Sequence, residues 1–219
     1  MIDTIHTFIF SWKKVTENAI ELYKKASSVC SNTTLINCDE NIDIDNTIKN
    51  IKLDDSYYYG GQFETAIRAV PVGANLCCIV GDVSPEANWG EIYKKAEEAL
   101  STNHIGVYAP NVDYTWHTAR GRQVSETLYE VPNTDCTFWF IHHSIVDALR
   151  DIPYRNLSNL GWGIDTIVNK ESDSQNKLIV RDYSELVRQP TGTAYNVSAA
   201  REQMNKLISY YTLLGLKKK

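Results

Sequence analysis

The chain begins with short apolar runs that alternate with segments of helical period. His6–Ser11 and Thr34–Asn37 have the length and composition of strands, and between them apolar side chains recur every three to four residues from Val15 to Ala26. This order predicts a β-α-β unit, because two neighbouring parallel strands are joined by a right-handed crossover. The carboxyl ends of both strands are therefore expected at the same end of a sheet.

A continuous apolar run, Leu76–Val80, predicts a buried central strand that is covered on both faces. Gly81 permits close approach of the backbone, and Pro85 prevents the strand's hydrogen bonds from continuing. Asp82 is therefore expected at the carboxyl end of a central strand, where open α/β sheets bind their ligands. Its carboxylate either caps a turn or supplies a hard oxygen ligand to a divalent cation that carries a diphosphate.

The second half of the chain has a less regular pattern. A capping box of Asn88 and Glu91 predicts one helix, and a second capping box at Ser144 predicts another helix directly after His142 and His143. Strands are predicted at Ile105–Ala109, Leu128–Val131, Cys136–Ile141 and Leu178–Val180. Because no internal repeat or low-complexity linker interrupts the chain, we predict a single α/β domain in which helices flank a central, mostly parallel mixed sheet.

A second notable segment, Gly161–Asp165, has the sequence Gly-Trp-Gly-Ile-Asp. Two glycines beside a tryptophan imply a tight and specific backbone path. Asp165 follows at the start of a helical run, near the positive end of the helix dipole. A carboxylate held there can act as a general base or accept a hydrogen bond from a hydroxyl group.

Other polar positions allow both a ligand and an ordinary structural role. Asp39 follows the second strand, where an acidic residue can bind a ribose or base edge or lie in a solvated turn. Gly60 and Gly61 precede a helix whose free amides suit a phosphate, although a plain loop explains them equally well. Arg68 on that helix either reaches the phosphate or lies on the surface, and the Asp113–Thr118 segment either stacks on a sugar or packs inside.

The adjacent imidazoles of His142 and His143 are expected to diverge, so they do not form a chelating pair. One ring, that of His142, is a candidate to face the site.

Composition excludes several classes of function. The 219 residues include 22 basic and 27 acidic side chains, for a net charge of −5, so nucleic acid is not the expected partner. The five cysteines show no C-x-x-C spacing, which disfavours zinc and disulfide frameworks and favours a reducing compartment. No segment predicts a membrane span or a signal peptide, so we expect a cytoplasmic location.

With these motifs in place, the chain resembles glycosyltransferases of the GT-A fold, which use nucleotide sugars. The resemblance covers nearly the whole chain through short motifs. It implies that residues 1–85 bind the nucleotide and that residues 86–219 bind the acceptor. The nucleotide positions are Phe10, Ser11 and Asp39, and the helix that lines the diphosphate pocket contributes Gly61, Gln62 and Arg68.

The family's metal motif, Asp-x-Asp, corresponds here to Val80-Gly81-Asp82, so the second aspartate is present and the first is missing. The histidine that often completes the metal site is also missing, because the matching loop runs Val187-Arg188-Gln189-Pro190. The resemblance implies Mn²⁺ or Mg²⁺ at Asp82, with Gln189 or water in place of the histidine.

On the acceptor side, the Gly161–Asp165 segment matches the family's Gly-Trp-Gly-x-Asp element. The resemblance implies that Asp165 is the base of an inverting hexosyltransferase and that Trp162 and His142 contact the acceptor. The implied partners are a UDP-sugar donor and a glycan or glycoprotein acceptor. The small size also matches one catalytic domain of larger viral enzymes that glycosylate capsids, so further domains of a longer polypeptide and a host-cytoplasmic location are implied.

Two other functions compete with this hypothesis. A sugar nucleotidyltransferase shares the β-α start, but it usually has a glycine-rich basic loop after the first strand, and Ser11-Trp12-Lys13-Lys14 contains no glycine. A non-catalytic sugar-binding or nucleotide-binding domain of the same fold is compatible with the missing aspartate and histidine.

Overall fold

A computed structural model describes residues 1–84, 86–113, 115, 117–190 and 196–217. The strands are β1 (Ile2–Ser11), β2 (Cys30–Asn37), β3 (Asn50–Lys52), β4 (Asn75–Val80), β5 (Ile105–Val112), β6 (Leu128–Glu130), β7 (Phe138–Ile141) and β8 (Leu178–Val187). The helices are α1 (Thr16–Ser27), α2 (Tyr59–Ala69), α3 (Trp89–Ser101), α4 (His143–Leu149), α5 (Tyr154–Ser158), α6 (Ile164–Ser174) and α7 (Val197–Lys217).

All eight strands belong to one sheet in the order β3-β2-β1-β4-β7-β5-β8-β6. The pairs β1–β2, β1–β4, β2–β3 and β5–β8 are parallel, whereas β7 is antiparallel to β4 and β5, and β6 is antiparallel to β8. The predicted α/β fold with a mostly parallel mixed sheet is confirmed. The first four strands form one half of the sheet, and the last four form the other half.

Helices cover both faces of the sheet, so each central strand is buried on both sides. Apolar residues of α1 and α3, such as Leu22 and Ile92, pack on one face. The other face is covered by α2, α4, α5, α6 and α7 through residues such as Phe63, Ile145 and Leu207. This arrangement explains the continuous apolar run of β4, since a strand covered on both faces has no polar side to present.

The two predicted helix caps had different outcomes. The Asn88 side chain caps α3 by accepting a hydrogen bond from the Glu91 amide at 3.2 Å, as the capping box predicted. The predicted box at Ser144 is wrong, because the residue that caps α4 is His142, whose ring accepts from the Ser144 amide. Residues 41–55 contain the short edge strand β3.

None of the helices in the described part of the chain has both the length and the apolar content needed to cross a lipid bilayer.

The second residue of α2, Gly60, lies against the backbone of α5. Its amide donates to the Asn159 carbonyl at 2.8 Å, and a Cβ added to Gly60 would lie 1.9 Å from the Ser158 carbonyl oxygen. The glycine is therefore required by the close approach of two backbones, because a side chain of any size would separate them. Gly60 therefore has a packing role at the start of α2.

We predict that Gly60→Ala destabilises the protein by about 1–3 kcal/mol or more, since a backbone carbonyl cannot move aside as a flexible side chain can. The matched control is Gly90→Ala, because Gly90 is also the second residue of its helix and its added Cβ would meet only Asn88 Oδ1 at 3.8 Å. That control should be neutral or stabilising by about 0.5–1 kcal/mol. Chemical denaturation measures both, and equal effects would contradict the packing argument.

Candidate functional site

Asp82 directly follows β4 at the carboxyl end of the sheet, where β1, β2, β4, β5 and β8 also end. The Gln189 amide nitrogen donates to both carboxylate oxygens of Asp82, at 3.2 Å each. The other end of the same amide, Gln189 Oε1, accepts from the Thr137 hydroxyl at 3.3 Å. Gln189 of the distant Val187–Pro190 loop is therefore in contact with Asp82, but through its nitrogen and not through the oxygen that was predicted as a metal ligand.

Backbone contacts hold this loop against the ends of two other strands. The backbone N–H of Gln189 donates to Oδ1 of Asp113, the residue that follows β5, at 2.8 Å. The Ser84 amide donates to the Arg188 carbonyl at 2.7 Å, just beyond β4. The ends of β4, β5 and β8 are thus tied together around Asp82.

Asp165 lies in the first turn of α6 and pairs with a residue that the sequence did not single out. His117 Nε2 is 3.5 Å from Asp165 Oδ2, and the two side chains are 30% and 24% exposed. The other carboxylate oxygen, Oδ1, accepts from the Thr166 amide at 2.8 Å. Asp165 is therefore held on one side by its own helix and on the other by an imidazole.

This neighbourhood contains a buried ionic cluster. Arg181, only 2% exposed, donates to the His117 carbonyl at 2.6 Å and to Thr115 Oγ1 at 3.3 Å, and it lies 3.5 Å from Asp135 Oδ2. Thr115 also donates to the same Asp135 oxygen. A buried guanidinium needs a carboxylate and further acceptors to offset its desolvation, and this cluster supplies both.

Residues 135–137 connect the contacts around Asp82 with those around Asp165. Asp135 contacts Arg181, which binds the His117 carbonyl, and Thr137 contacts Gln189, which binds Asp82. Between them, the Cys136 carbonyl accepts from the Tyr59 hydroxyl at 2.7 Å. Asp82 and Asp165 are thus joined by one short segment and a chain of hydrogen bonds across the carboxyl end of the sheet.

The electrostatics of His117 follow from this arrangement. The hydrogen bond to Asp165 raises the pKa of His117 above its usual value of 6.5, and the charge of Asp135 acts in the same direction. Burial and the positive charge of Arg181 oppose this rise. The protonated imidazole is therefore favoured beside the two carboxylates.

The Gly-Trp-Gly segment follows the tight path that was predicted. Gly161 and Gly163 have φ values of +92° and +87°, a conformation that L side chains rarely adopt. A Cβ on Gly161 would lie 2.7 Å from the Tyr59 ring, so the segment can contact Tyr59 only because Gly161 has no side chain. Trp162 between them is half-buried.

On the nucleotide side, Ser11 and Asp39 meet through a third residue. The Ser11 hydroxyl donates to Thr16 Oγ1 at 3.3 Å, and the Thr16 hydroxyl donates to Asp39 Oδ2 at 3.1 Å. Phe10 is fully buried and packs edge-on against Tyr59, with 5.1 Å between ring centroids. Ser11 and Asp39 therefore lie together at the carboxyl end of the sheet, as expected, whereas Phe10 belongs to the core behind them.

The glycine and glutamine predicted for the diphosphate pocket face other protein groups. A Cβ on Gly61 would meet the Tyr57 ring at 2.8 Å, which indicates packing against that ring. Gln62 is 1% exposed and donates to the Tyr57 carbonyl at 3.3 Å, while its Oε1 has no protein partner. Both residues shape the interior below the site rather than its surface.

Two predicted site residues lie at the opposite end of the sheet. Arg68 is near the end of α2, about 14 Å along the helix from Tyr59, and it forms an ion pair with Glu64 at 2.6 Å. His142 follows β7, which runs against β4, so it lies beside Asn75 at the start of β4 and about 15–20 Å from Asp82. Neither residue can contact a ligand held between Asp82 and Asp165.

The prediction that the His142 and His143 rings diverge is wrong, because their centroids are 4.1 Å apart. The His142 ring is almost fully buried, and burial lowers its pKa from 6.5 to about 4. It is a neutral cap of α4, with a structural role.

The donor set at Asp82 determines which cation it can accept. Among the described residues, no three His, Cys, Asp or Glu side chains are grouped in a way that would hold a metal ion. The position of the missing aspartate is occupied by Val80, which is buried at the end of β4. Gln189 presents its side-chain N–H group to Asp82 and its Oε1 to Thr137, so the Asp82 carboxylate is the donor here. One carboxylate fits only a cation that keeps water ligands and arrives with phosphate oxygens, which is the usual behaviour of Mg²⁺.

The residues missed by sequence reasoning are His117, Asp135 and Arg181. His117 and Asp135 lie in segments without a clear period. Arg181 lies just beyond the predicted strand end at Val180, whereas β8 continues for seven residues past that point. Tyr114, Trp116 and residues 191–195 lie outside the described residues, so the two alternatives for Asp113–Thr118, stacking on a sugar or packing inside, stay open.

Two surface cavities lie elsewhere. One, of about 510 Å³, is at the amino end of the parallel strands and includes Asn75 and His142. The other, of about 650 Å³, lies where α6 ends and β8 begins and includes Asp173 and Leu178. Neither includes Asp82 or Asp165, so the candidate site is defined by its converging side chains.

Comparisons with known proteins identify the fold. No family model and no curated protein matches the sequence. Solved structures of similar fold include GalNAc-T7 with UDP, GalNAc and Mn²⁺, at a TM-score of 0.64 and 10% identity over 95% of this chain and 50% of that chain. Residues 1–349 of TarS from S. aureus give a TM-score of 0.55 and 12% identity over 93% and 70% of the two chains.

A third structure is the UTP-bound UGPase from Acinetobacter baumannii, with a TM-score of 0.51 and 7% identity over 94% of this chain and 93% of that chain. The chain thus spans half of the GalNAc-T7 chain and nearly all of the UGPase chain. At these identities the similarity shows the fold alone, and that fold is the Rossmann-like, GT-A-like domain.

Proposed function

We propose that this protein is a glycosyltransferase that moves a hexose from a UDP-sugar to a hydroxyl group of a glycan or glycoprotein. The observation that carries the proposal is the convergence of Asp82 and Asp165 on one end of the sheet, joined through residues 135–137. The fold shared with GalNAc-T7, whose structure contains UDP, GalNAc and Mn²⁺, supports the same function.

We assign the donor to residues 1–85 and the acceptor to residues 86–219. The nucleotide would lie near Ser11 and Asp39, at the ends of β1 and β2. Phe10, Gly61 and Gln62 would form the wall behind it through packing. The acceptor sugar would lie against Trp162, and Arg68 and His142 have no part in this proposal because they lie at the other end of the sheet.

Asp82 would hold a Mn²⁺ or Mg²⁺ ion that arrives with the diphosphate, and Gln189 would orient the carboxylate through its side-chain N–H group. Bound there, the cation would neutralise negative charge on the departing nucleotide. A single protein carboxylate would serve this role, with diphosphate and water oxygens as the remaining ligands.

Asp165 would act as the general base in a single displacement. The acceptor oxygen forms a bond to the anomeric carbon, the bond from that carbon to the diphosphate oxygen breaks, and its electron pair leaves with UDP. The hydroxyl proton passes to Asp165 Oδ2. Attack opposite to the leaving group inverts the configuration of the sugar.

A sugar nucleotidyltransferase is the second candidate, favoured by the match to UTP-bound UGPase along almost the full length of both chains. The loop after β1 argues against it. Lys13 forms an ion pair with Asp55 at 2.7 Å, and Lys14 has a φ of +83°, so the loop lacks both glycine and an unpaired Lys13 for a triphosphate. Formation of UDP-sugar from UTP and a sugar phosphate would favour this candidate.

The predicted compartment is supported by the cysteines, because all five are free thiols and four of them are buried. We accordingly propose a reducing, cytoplasmic environment. A place as one domain of a longer viral polypeptide stays a prediction.

We predict that Asp82→Ala weakens the binding of UDP with Mn²⁺ by at least about tenfold, or about 1.4 kcal/mol, because the protein carboxylate that holds the cation is lost. Titration calorimetry with and without Mn²⁺ measures the effect. The control is Asp173→Ala, which removes an exposed carboxylate at the far end of α6. Metal-dependent UDP binding that survives in Asp82→Ala would contradict the assignment.

We predict that Asp165→Asn lowers the turnover of a UDP-sugar by about 10²–10⁴-fold while UDP affinity stays the same, since the amide cannot accept the acceptor proton. Coupled detection of UDP release measures turnover across a panel of nucleotide sugars. Asp173→Asn on the same helix serves as the matched control. Unchanged turnover in Asp165→Asn would remove Asp165 from the mechanism, and a lack of turnover in the unmodified protein with every donor would favour a non-catalytic binding domain.

A further inference from the structure

His117 has no role in the mechanism given above, yet it is one of the most firmly held residues at the site. Its backbone carbonyl accepts from Arg181 at 2.6 Å, and its amide donates to Thr115 Oγ1 at 3.0 Å. Both contacts act on the main chain, so they set the position of the residue without using its ring. The imidazole remains available to face Asp165.

The group that holds His117 is itself rigid. The Arg181 side chain is 3% exposed, and it is placed by β8 and by Asp135, which is only 15% exposed. A buried guanidinium with several acceptors has few alternative positions, because moving it would break charge-assisted hydrogen bonds in a region of low dielectric constant. The backbone position of His117 beside Asp165 is therefore set by these buried groups.

The two oxygens of Asp165 have different surroundings. Oδ1 accepts from the Thr166 amide at 2.8 Å and lies 3.4 Å from the Thr166 hydroxyl. Oδ2 lies 3.5 Å from His117 Nε2. Oδ1 is thus occupied by two groups of Thr166, whereas Oδ2 contacts only the imidazole among the described residues and can accept from a ligand. The partial exposure of both side chains lets a hydroxyl group approach the pair.

We propose that His117 is a positioning residue for Asp165: its ring orients Oδ2 toward the acceptor, and its charge sets how easily the acceptor hydroxyl group can reach that oxygen. This inference rests on the proposed function, in which Asp165 is the base. The imidazolium ion donates a charge-assisted hydrogen bond to the carboxylate and so competes with the acceptor hydroxyl group for Oδ2. The neutral ring binds the carboxylate less strongly and competes less.

The direction of the pH dependence follows. Asp165 and Asp135 face His117 and favour its protonated form, whereas Arg181 opposes it. As pH falls through the raised pKa of His117, the imidazolium forms and turnover decreases. Because the pKa of His117 is higher in the folded protein than in the unfolded chain, the pair of His117 and Asp165 stabilises the fold below pH 6.5. This contribution is lost as pH rises through the folded-state pKa of His117.

The first experiment tests the pair without using activity. Nitrogen-15 NMR of the full chain follows the His117 ring during a pH titration, with the signal assigned by its absence in His117→Gln. The expected result is a pKa above 6.5 that decreases in Asp165→Asn and does not change in Asp173→Asn. An identical His117 titration in Asp165→Asn would overturn the pairing.

The second experiment tests the effect on the reaction. UDP-sugar turnover is measured against pH for the unmodified protein and for His117→Gln, which keeps an N–H donor but does not titrate. The unmodified protein should lose up to about tenfold per pH unit below the pKa of His117, and His117→Gln should lack this decline while its KM for the donor is unchanged. The control His104→Gln, at an exposed position, should retain the decline.

The outcomes separate the two proposals. A decline that persists in His117→Gln would overturn the tuning role, even if NMR confirms the pair. If the unmodified protein turns over no UDP-sugar, the proposed function fails and the tuning role fails with it, while the NMR titration still decides whether His117 and Asp165 are coupled.

Discussion

The candidate site depends on the entry of one antiparallel strand between two parallel ones. β7 lies between β4 and β5, and the segment before it, residues 135–137, must therefore cross the carboxyl end of the sheet. The Thr137 carbonyl accepts from the Val80 amide at 2.9 Å, which places the segment directly beside Asp82. These three residues contact both the Asp82 side, through Thr137 and Gln189, and the Asp165 side, through Asp135 and Arg181.

Close backbone approach is the second constraint. Gly161 lies against the Tyr59 ring, and the Tyr59 hydroxyl donates to the Cys136 carbonyl. Through this ring, the start of α6, which carries Asp165, is placed relative to residues 135–137. A larger residue at position 161 would displace the segment, so the glycine contributes to the site through geometry and not through ligand contact.

Burying the charged groups around Arg181 has a free-energy cost, and a gain in stability from the ion pair does not explain why they are buried. Removing a guanidinium and a carboxylate from water is unfavourable, and a buried ion pair often contributes no more than apolar residues of the same volume. Its clear effect is organisation, because Arg181 binds the His117 carbonyl, the Thr115 hydroxyl and the Asp135 carboxylate together. Thr115 and His117 are thereby held in place beside Asp165.

The sequence by itself determined the parts that depend on local pattern. The apolar run of β4, the N-cap at Asn88, the β-α-β start and the tight backbone path at Gly161–Gly163 are all local features, because sequence period and backbone preference act over a few residues. The position of Asp82 at a strand end follows from the same pattern.

Only the tertiary structure decided which distant groups meet. The contact of Gln189 with Asp82, the pairing of His117 with Asp165 and the burial of Arg181 depend on strand order, which periodicity does not encode. The reversed direction of β7 also moved His142 to the far end of the sheet. The spacing of residues along a chain indicates which face of an element is buried and where that element ends. The direction of a strand in the sheet is set by the packing of the whole domain.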